Sequence, residues 1–140
     1  MSPVREVYTF TNPVSGGTTS ISLAPSSSSI STTLTNTASI ENEVLTLYDT
    51  KKNPVGKFIA NRSENNFKNN TDGSVNNQVY LLNNGSYVMT LEWINNTRIP
   101  NTKYVSKSIS TGGKYAGKDV TVTLKYTVDR VAKVVFEYEN

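Results

Sequence analysis

The chain has 140 residues, enough for one domain with a real core, and its formal charge of +3 comes from 14 basic and 11 acidic side chains. It contains neither Cys nor His. That excludes disulfides, thiolate and imidazole metal sites, cysteine nucleophiles and Ser-His-Asp triads, so any chemistry must rest on carboxylates, Lys, Arg, Tyr or hydroxyls, and neither metal nor cofactor is expected.

The charges are spread along the sequence without a block, which gives no linear footprint of a nucleic-acid binder. No apolar run approaches the length of a membrane span, and the first thirty residues lack an apolar core after a basic start. The expectation is a soluble chain without a membrane span or signal peptide, its compartment undefined, with secretion or association with a particle both open. Asn, Ser and Thr are abundant while Ala, Leu and Glu are scarce, which disfavours helix, and the β-branched and aromatic residues favour strands. Four N-x-S/T sequons begin at Asn61, Asn69, Asn84 and Asn95, as many as such a composition yields by chance, so their glycosylation stays open.

In chain order, Val4 to Phe10 alternates as a strand with Val4, Glu6, Tyr8 and Phe10 on one face, and Asn12-Pro13 stops it. The Ser/Thr-rich segment 15–39 carries Ile21, Leu23, Ile30 and Leu34, which suits two thin strands around a Pro25–Ser29 turn or, alternatively, a flexible linker. Glu43 to Asp49 is a strand, Lys51-Lys52-Asn53-Pro54 a turn, and Val55 to Ala60 its partner strand. Residues 61–77 are almost devoid of apolar side chains apart from Phe67 and Val75 and are expected to form a long, mobile polar loop.

Val79–Asn83 and Ser86–Ile94 flank Asn84-Gly85, a strong hairpin signal. The second arm sets Tyr87, Met89, Leu91 and Trp93 against Val88, Thr90, Glu92 and Ile94, and is expected to be covered on most of both sides. Tyr104–Ser110 leads into a glycine-rich stretch. Val120, Val122, Leu124, Tyr126 and Val128 then alternate with Thr121, Thr123, Lys125 and Thr127, and Asp129-Arg130 turns the chain into Val131–Tyr138. Eight to ten strands joined mostly by short turns predict one all-β domain over 1–140, an antiparallel meander closed into a small, about eight-stranded β-barrel, or otherwise a sandwich.

The stretch Thr111-Gly112-Gly113-Lys114-Tyr115-Ala116-Gly117-Lys118-Asp119 fits G-x-x-x-x-G-K from Gly112 to Lys118. A phosphate cradle needs Ser or Thr where Asp119 stands and a helix beginning at that Lys. Val-Thr-Val-Thr-Leu follows instead, among the poorest helix formers, so Gly112, Gly113 and Gly117 read as a structural corner between strands.

Ser108 to Gly117, followed by its alternating strand, resembles the glycine signature of the allene oxide cyclase and dirigent barrels. Leu45 to Gly56 is similar to an early strand-turn-strand of the same superfamily, and Val4 to Phe10 to its first strand; order and spacing agree from about Val4 to Tyr138. The match has gaps: Thr111 stands where a second glycine is expected, and Lys118-Asp119-Val120 replaces Ala-Arg-Gly. Where allene oxide cyclases carry a carboxylate at the end of the first strand, this chain has Thr11. The resemblance implies a small antiparallel barrel, a homotrimer, and an apolar cavity that orients a reactive intermediate with little covalent chemistry.

Five residues are candidates for ligand contact. Glu92 reads as an edge carboxylate or as a pocket acid, Asp49 as a solvated turn residue or a ligand group, and Tyr87, Trp93 and Tyr126 as core or interface packing or as a ligand box. No catalytic residue is assigned. The leading expectation is a non-catalytic structural or binding barrel, a component of a surface, matrix or virion. The alternatives are a cofactor-free cyclase or dirigent-like guide acting on a small apolar intermediate, and a carbohydrate-binding module for a glycan.

Overall fold

A computed structural model describes residues 2–11, 18–23, 37–66, 73–95, 101–127 and 130–140. They form nine strands and a single 3-10 turn: β1 (Pro3–Thr11), β2 (Thr18–Leu23), β3 (Thr37–Tyr48), β4 (Pro54–Asn66), β5 (Gly73–Leu82), β6 (Tyr87–Asn95), β7 (Lys103–Gly112), the turn η1 (Gly113–Tyr115), β8 (Thr121–Tyr126) and β9 (Val131–Glu139).

All pairings are antiparallel, in the order β1-β9-β8-β7-β6-β5-β4-β3-β2. Strand β1 also meets β3 at Thr9↔Tyr48, which closes eight strands into a barrel. Closure removes the edges that strands rich in Val and Thr would otherwise expose. Strand β2 stands outside the closed ring and, among the described residues, pairs with the first half of β3, Thr18↔Glu43 through Leu23↔Ala38.

Period-two alternation sets the core. On β8, Val122, Leu124 and Tyr126 are buried, and Thr121, Thr123 and Lys125 face outward; on β9 the inward residues are Ala132, Val134 and Phe136. Phe10, Leu47, Phe58, Tyr80, Val88, Tyr115 and Val120 complete the interior, all fully buried.

Three turns lock together at one end. Gly85 accepts φ 89° in the β5–β6 hairpin, a conformation that a side chain disfavours, and donates its N–H to Leu82 O at 2.9 Å. Asn84 Oδ1 accepts from the Ser86 N–H at 2.9 Å, and Ser86 Oγ in turn accepts from the Lys114 N–H of the glycine corner at 3.0 Å. Gly113 sits at φ 64° against Ser86, where a Cβ would collide. The Asn83 N–H reaches Val55 O beside the β3–β4 turn at 2.9 Å.

The glycine stretch is therefore a corner between β7 and β8, followed by a strand and not a helix. Residues 61–77 differ from the expected loop: 61–66 extend β4 and 73–77 extend β5, in register from Asn61↔Asn77 to Asn65↔Gly73. Backbone pairing sustains these strands where apolar side chains are lacking. Of the Ser/Thr-rich segment, Thr18–Leu23 forms β2, while Ile30 and Leu34 lie outside the described residues, as do Phe67, Asn69 and Val128.

Candidate functional site

The interior has two halves. Near the corner it is aromatic: Phe10 and Phe58 stack at 4.1 Å between centroids, and Phe136 touches Tyr8, Tyr80 and Tyr115 at 5.3–5.6 Å. Away from the corner it turns polar, because the inward positions of β3–β6 change character in step. The row Leu45–Phe58–Tyr80–Val88 gives way to Glu43–Ala60–Gln78–Thr90, and then to Arg62–Asn76–Glu92.

In that polar half, Glu43 Oε2 lies 3.8 Å from Arg62 Nη2, and both side chains are buried. Gln78, only 1% exposed, accepts from Thr90 Oγ1 at 3.2 Å and from Tyr80 Oη at 3.3 Å through the same Oε1. Its Nε2 has no partner among the described residues. Glu92 accepts a short hydrogen bond, 2.7 Å, from Ser106 Oγ through Oε2, while its buried Oε1 is likewise unpaired. Burial, together with the nearby Tyr126 and Glu92, pushes the Tyr80 hydroxyl well above its ordinary pKa. One buried donor and one buried acceptor thus lack a partner among the described residues in this polar half, with Ser106 of β7 and Tyr126 nearby.

A second polar group crosses from β1 to the corner. The Glu6 carboxylate accepts from Tyr115 Oη at 2.8 Å and from Lys114 Nζ at 2.7 Å, and Tyr8 Oη lies 3.4 Å from Tyr115 Oη. Burial, then the bonds to Tyr8 and Glu6, drive the Tyr115 pKa far upward. Burial raises Tyr8 too, although its bond to Tyr115 opposes the shift. For Lys114, burial pulls the ammonium down, but the hydrogen bond and charge of Glu6 outweigh it and the net shift is upward.

Two of the five sequence candidates point into the barrel, Glu92 in its polar half and Tyr126 against the aromatic cluster. Glu92 points inward in phase with Val88 and Thr90, which corrects its reading as a surface edge carboxylate, and Tyr126 is buried, edge-on to Phe10 and Tyr104. The other three lie elsewhere. Asp49 is a turn residue that accepts from the Lys51 and Asn53 N–H groups, each at 2.9 Å; the Asn53 backbone bond is the main cause of its lowered pKa. It lines a cleft of about 410 Å³ with Tyr8, Leu82 and Lys114 at the corner end. Tyr87 faces outward over Gly112, with its hydroxyl 3.2 Å from Ser110 Oγ.

Trp93 is 52% exposed and lays its indole over Gly73, and Leu91 is 49% exposed, so the second hairpin arm is not covered on both sides. Val44, Leu91 and Trp93 on this outward side are each about half exposed.

Glu6, Tyr8, Lys114, Tyr115, Glu43, Arg62, Asn76 and Gln78 were not among the sequence candidates. Their signal was phase: Gln78 is in step with Tyr80, Glu43 with Leu47, Arg62 with Phe58, and Glu6 with Tyr8 and Phe10. Among the described residues no cluster of carboxylates could hold a metal ion, and no helix is long and apolar enough to cross a membrane. The molecule belongs to the class of closed, eight-stranded antiparallel β-barrels. Comparison with protein-family models and with curated proteins returns no match.

Proposed function

We propose that this protein is a non-catalytic binding and assembly barrel of the allene oxide cyclase and dirigent type, and that it forms a homotrimer through the outer face of β3–β6. One observation carries the assembly reading. Val44, Ile59, Val79 and Met89 are direct cross-strand neighbours on the outside of four consecutive strands, and Leu91 and Trp93 extend the patch. Val44 is 56% exposed, and a contiguous apolar face of this kind on a small barrel is a site for protein contact.

The type assignment draws support from the closed eight-stranded meander and from the glycine corner between β7 and β8. Native mass spectrometry tests the assembly: a trimer is expected, dispersed to monomers by Val79→Lys. Wild-type protein that is monomeric throughout the micromolar range removes the assembly reading.

A second reading has its own support. Gln78 Nε2 and Glu92 Oε1 offer a buried donor and a buried acceptor, which suits a small hydroxyl- or carbonyl-bearing ligand in the polar half of the barrel, as a dirigent-like guide would hold it. A Gln78→Met/Glu92→Gln variant that folds and still retains a ligand captured by the wild type would defeat that reading.

A further inference from the structure

The outer face opposite the apolar one, on β7, β8, β9 and β1, carries a different pattern. Three rows cross these strands. Val7, Val135, Thr123 and Val105 are successive neighbours and form the middle row. To one side lie Arg5, Glu137, Thr121 and Lys107. To the other lie Thr9, Lys133, Lys125 and Lys103.

Residues from all three rows line a cleft of about 360 Å³ that contains Arg5, Lys103, Lys125 and Lys133, with Glu137 its lone carboxylate. Its floor is sunken: Val135, although on the outside of the barrel, is only 8% exposed.

The lysine row is costly to the fold. Lys133 is directly opposite Lys125, which is directly opposite Lys103, and like charges placed so are destabilising. Among the described residues, none of these three lysines or Arg5 makes an ion pair. Neighbouring strands are about 4.8 Å apart, so the row presents ammonium groups at a spacing of one per strand across the sheet. A chain with regularly repeated negative charges complements that row.

We infer that this cleft binds a linear acidic polysaccharide, its sulfate or carboxylate groups on Lys103, Lys125, Lys133 and Arg5 and its sugar rings against Val135, Thr123 and Val105. The lining residues favour this occupant over other polyanions. No aromatic ring lines the cleft, so it lacks the stacking platform that single-stranded nucleic acid uses. Of its two large apolar lining residues Val135 is recessed and Val105 alone projects, at 63% exposed, whereas a membrane surface calls for a set of apolar side chains that project into the lipid.

The test measures binding of the 140-residue chain to a short fluorescent heparin oligosaccharide and to polygalacturonate, with neutral dextran, a thymidine oligonucleotide and phosphatidylserine-containing vesicles as competing probes. At least one acidic polysaccharide is expected to bind, more weakly as salt rises, and dextran is not. The Lys103→Gln/Lys125→Gln/Lys133→Gln variant is expected to bind about tenfold or more weakly, with a salt slope lower by about one per lysine. Its unfolding midpoint is expected to hold or rise, because the cross-strand repulsion is gone.

A control variant, Lys51→Gln/Lys52→Gln/Lys57→Gln, loses the same charge outside the cleft and is expected to bind as the wild type does. The inference is overturned if neither polysaccharide binds, if dextran binds equally, or if the two triple variants behave alike. Tighter binding of the oligonucleotide or the vesicles at equal salt also overturns it, in favour of nucleic acid or membrane.

Discussion

The two halves of the barrel interior share β4 and β5 and obey the same alternation, yet they do opposite things for the fold. Near the glycine corner, Phe10, Phe58, Tyr80, Tyr115 and Phe136 interlock in stacked, tilted and edge-on pairs, the geometries that make aromatic clusters favourable beyond their buried area. Away from it, Glu43, Arg62, Asn76 and Gln78 are buried in place of apolar residues. Burying such groups costs stability unless they are paired closely, and the 3.8 Å approach of Glu43 to Arg62 is loose for a buried ion pair. One half stabilises the barrel. The other takes charged and amide groups out of water, a cost that opposes that gain.

The largest test of this division is Phe136→Ala. Phe136 is fully buried and touches three other rings, so its truncation is expected to cost about 3–5 kcal/mol in urea unfolding. A cost below about 1 kcal/mol would mean that the aromatic half does not dominate stability.

The polar half is separated next. Arg62→Met leaves Glu43 buried beside an apolar chain and is expected to cost about 3 kcal/mol, while Glu43→Leu/Arg62→Met is expected to return to wild-type stability or exceed it. A double variant as unstable as the single one would show that the polar half supports the fold in its own right, and the contrast between the halves would collapse.

Much of this was legible in the sequence, for reasons visible residue by residue. The hairpin at Asn84-Gly85 and the corner at Gly112-Gly113 depend on local backbone conformation, which local sequence specifies, and both lie where they were expected. The final strands were legible because Val122, Leu124 and Tyr126 announce the inward phase. The far halves of β4 and β5 were hidden by the same property that makes them interesting. Their inward positions, Arg62 and Asn76, are polar, so alternation of hydrophobicity vanishes along them.

The lysine row was hidden for a different reason. Lys103, Lys125 and Lys133 are scattered in sequence, and only the β7–β8 and β8–β9 registers bring them side by side. The Glu6–Tyr115 bond spans 109 positions, and no local pattern could reveal that.

That bond allows the smallest test, made at the boundary of the aromatic half. Tyr115→Phe keeps the ring against Phe136 and Tyr138 but removes the hydroxyl that Glu6 and Tyr8 share. Its cost is expected to be about 1–3 kcal/mol at neutral pH. The alkaline limb gives a second readout. Tyr8, Tyr80 and Tyr115 all have folded-state pKa values above the ordinary 10.0, and Lys114 lies above its ordinary 10.5. Below about pH 10 these groups are protonated in both states and their contribution is fully present. As pH rises beyond that, the unfolded chain releases protons that the folded chain retains, so stability falls. The wild type is therefore expected to lose stability steeply above about pH 10. Tyr115→Phe, with one fewer retained proton, is expected to start lower and fall less steeply, as followed by circular dichroism and tyrosinate absorbance. Parallel curves for the two proteins would remove Tyr115 from the alkaline transition and leave Tyr8, Tyr80, Tyr138 and Lys114 to account for it.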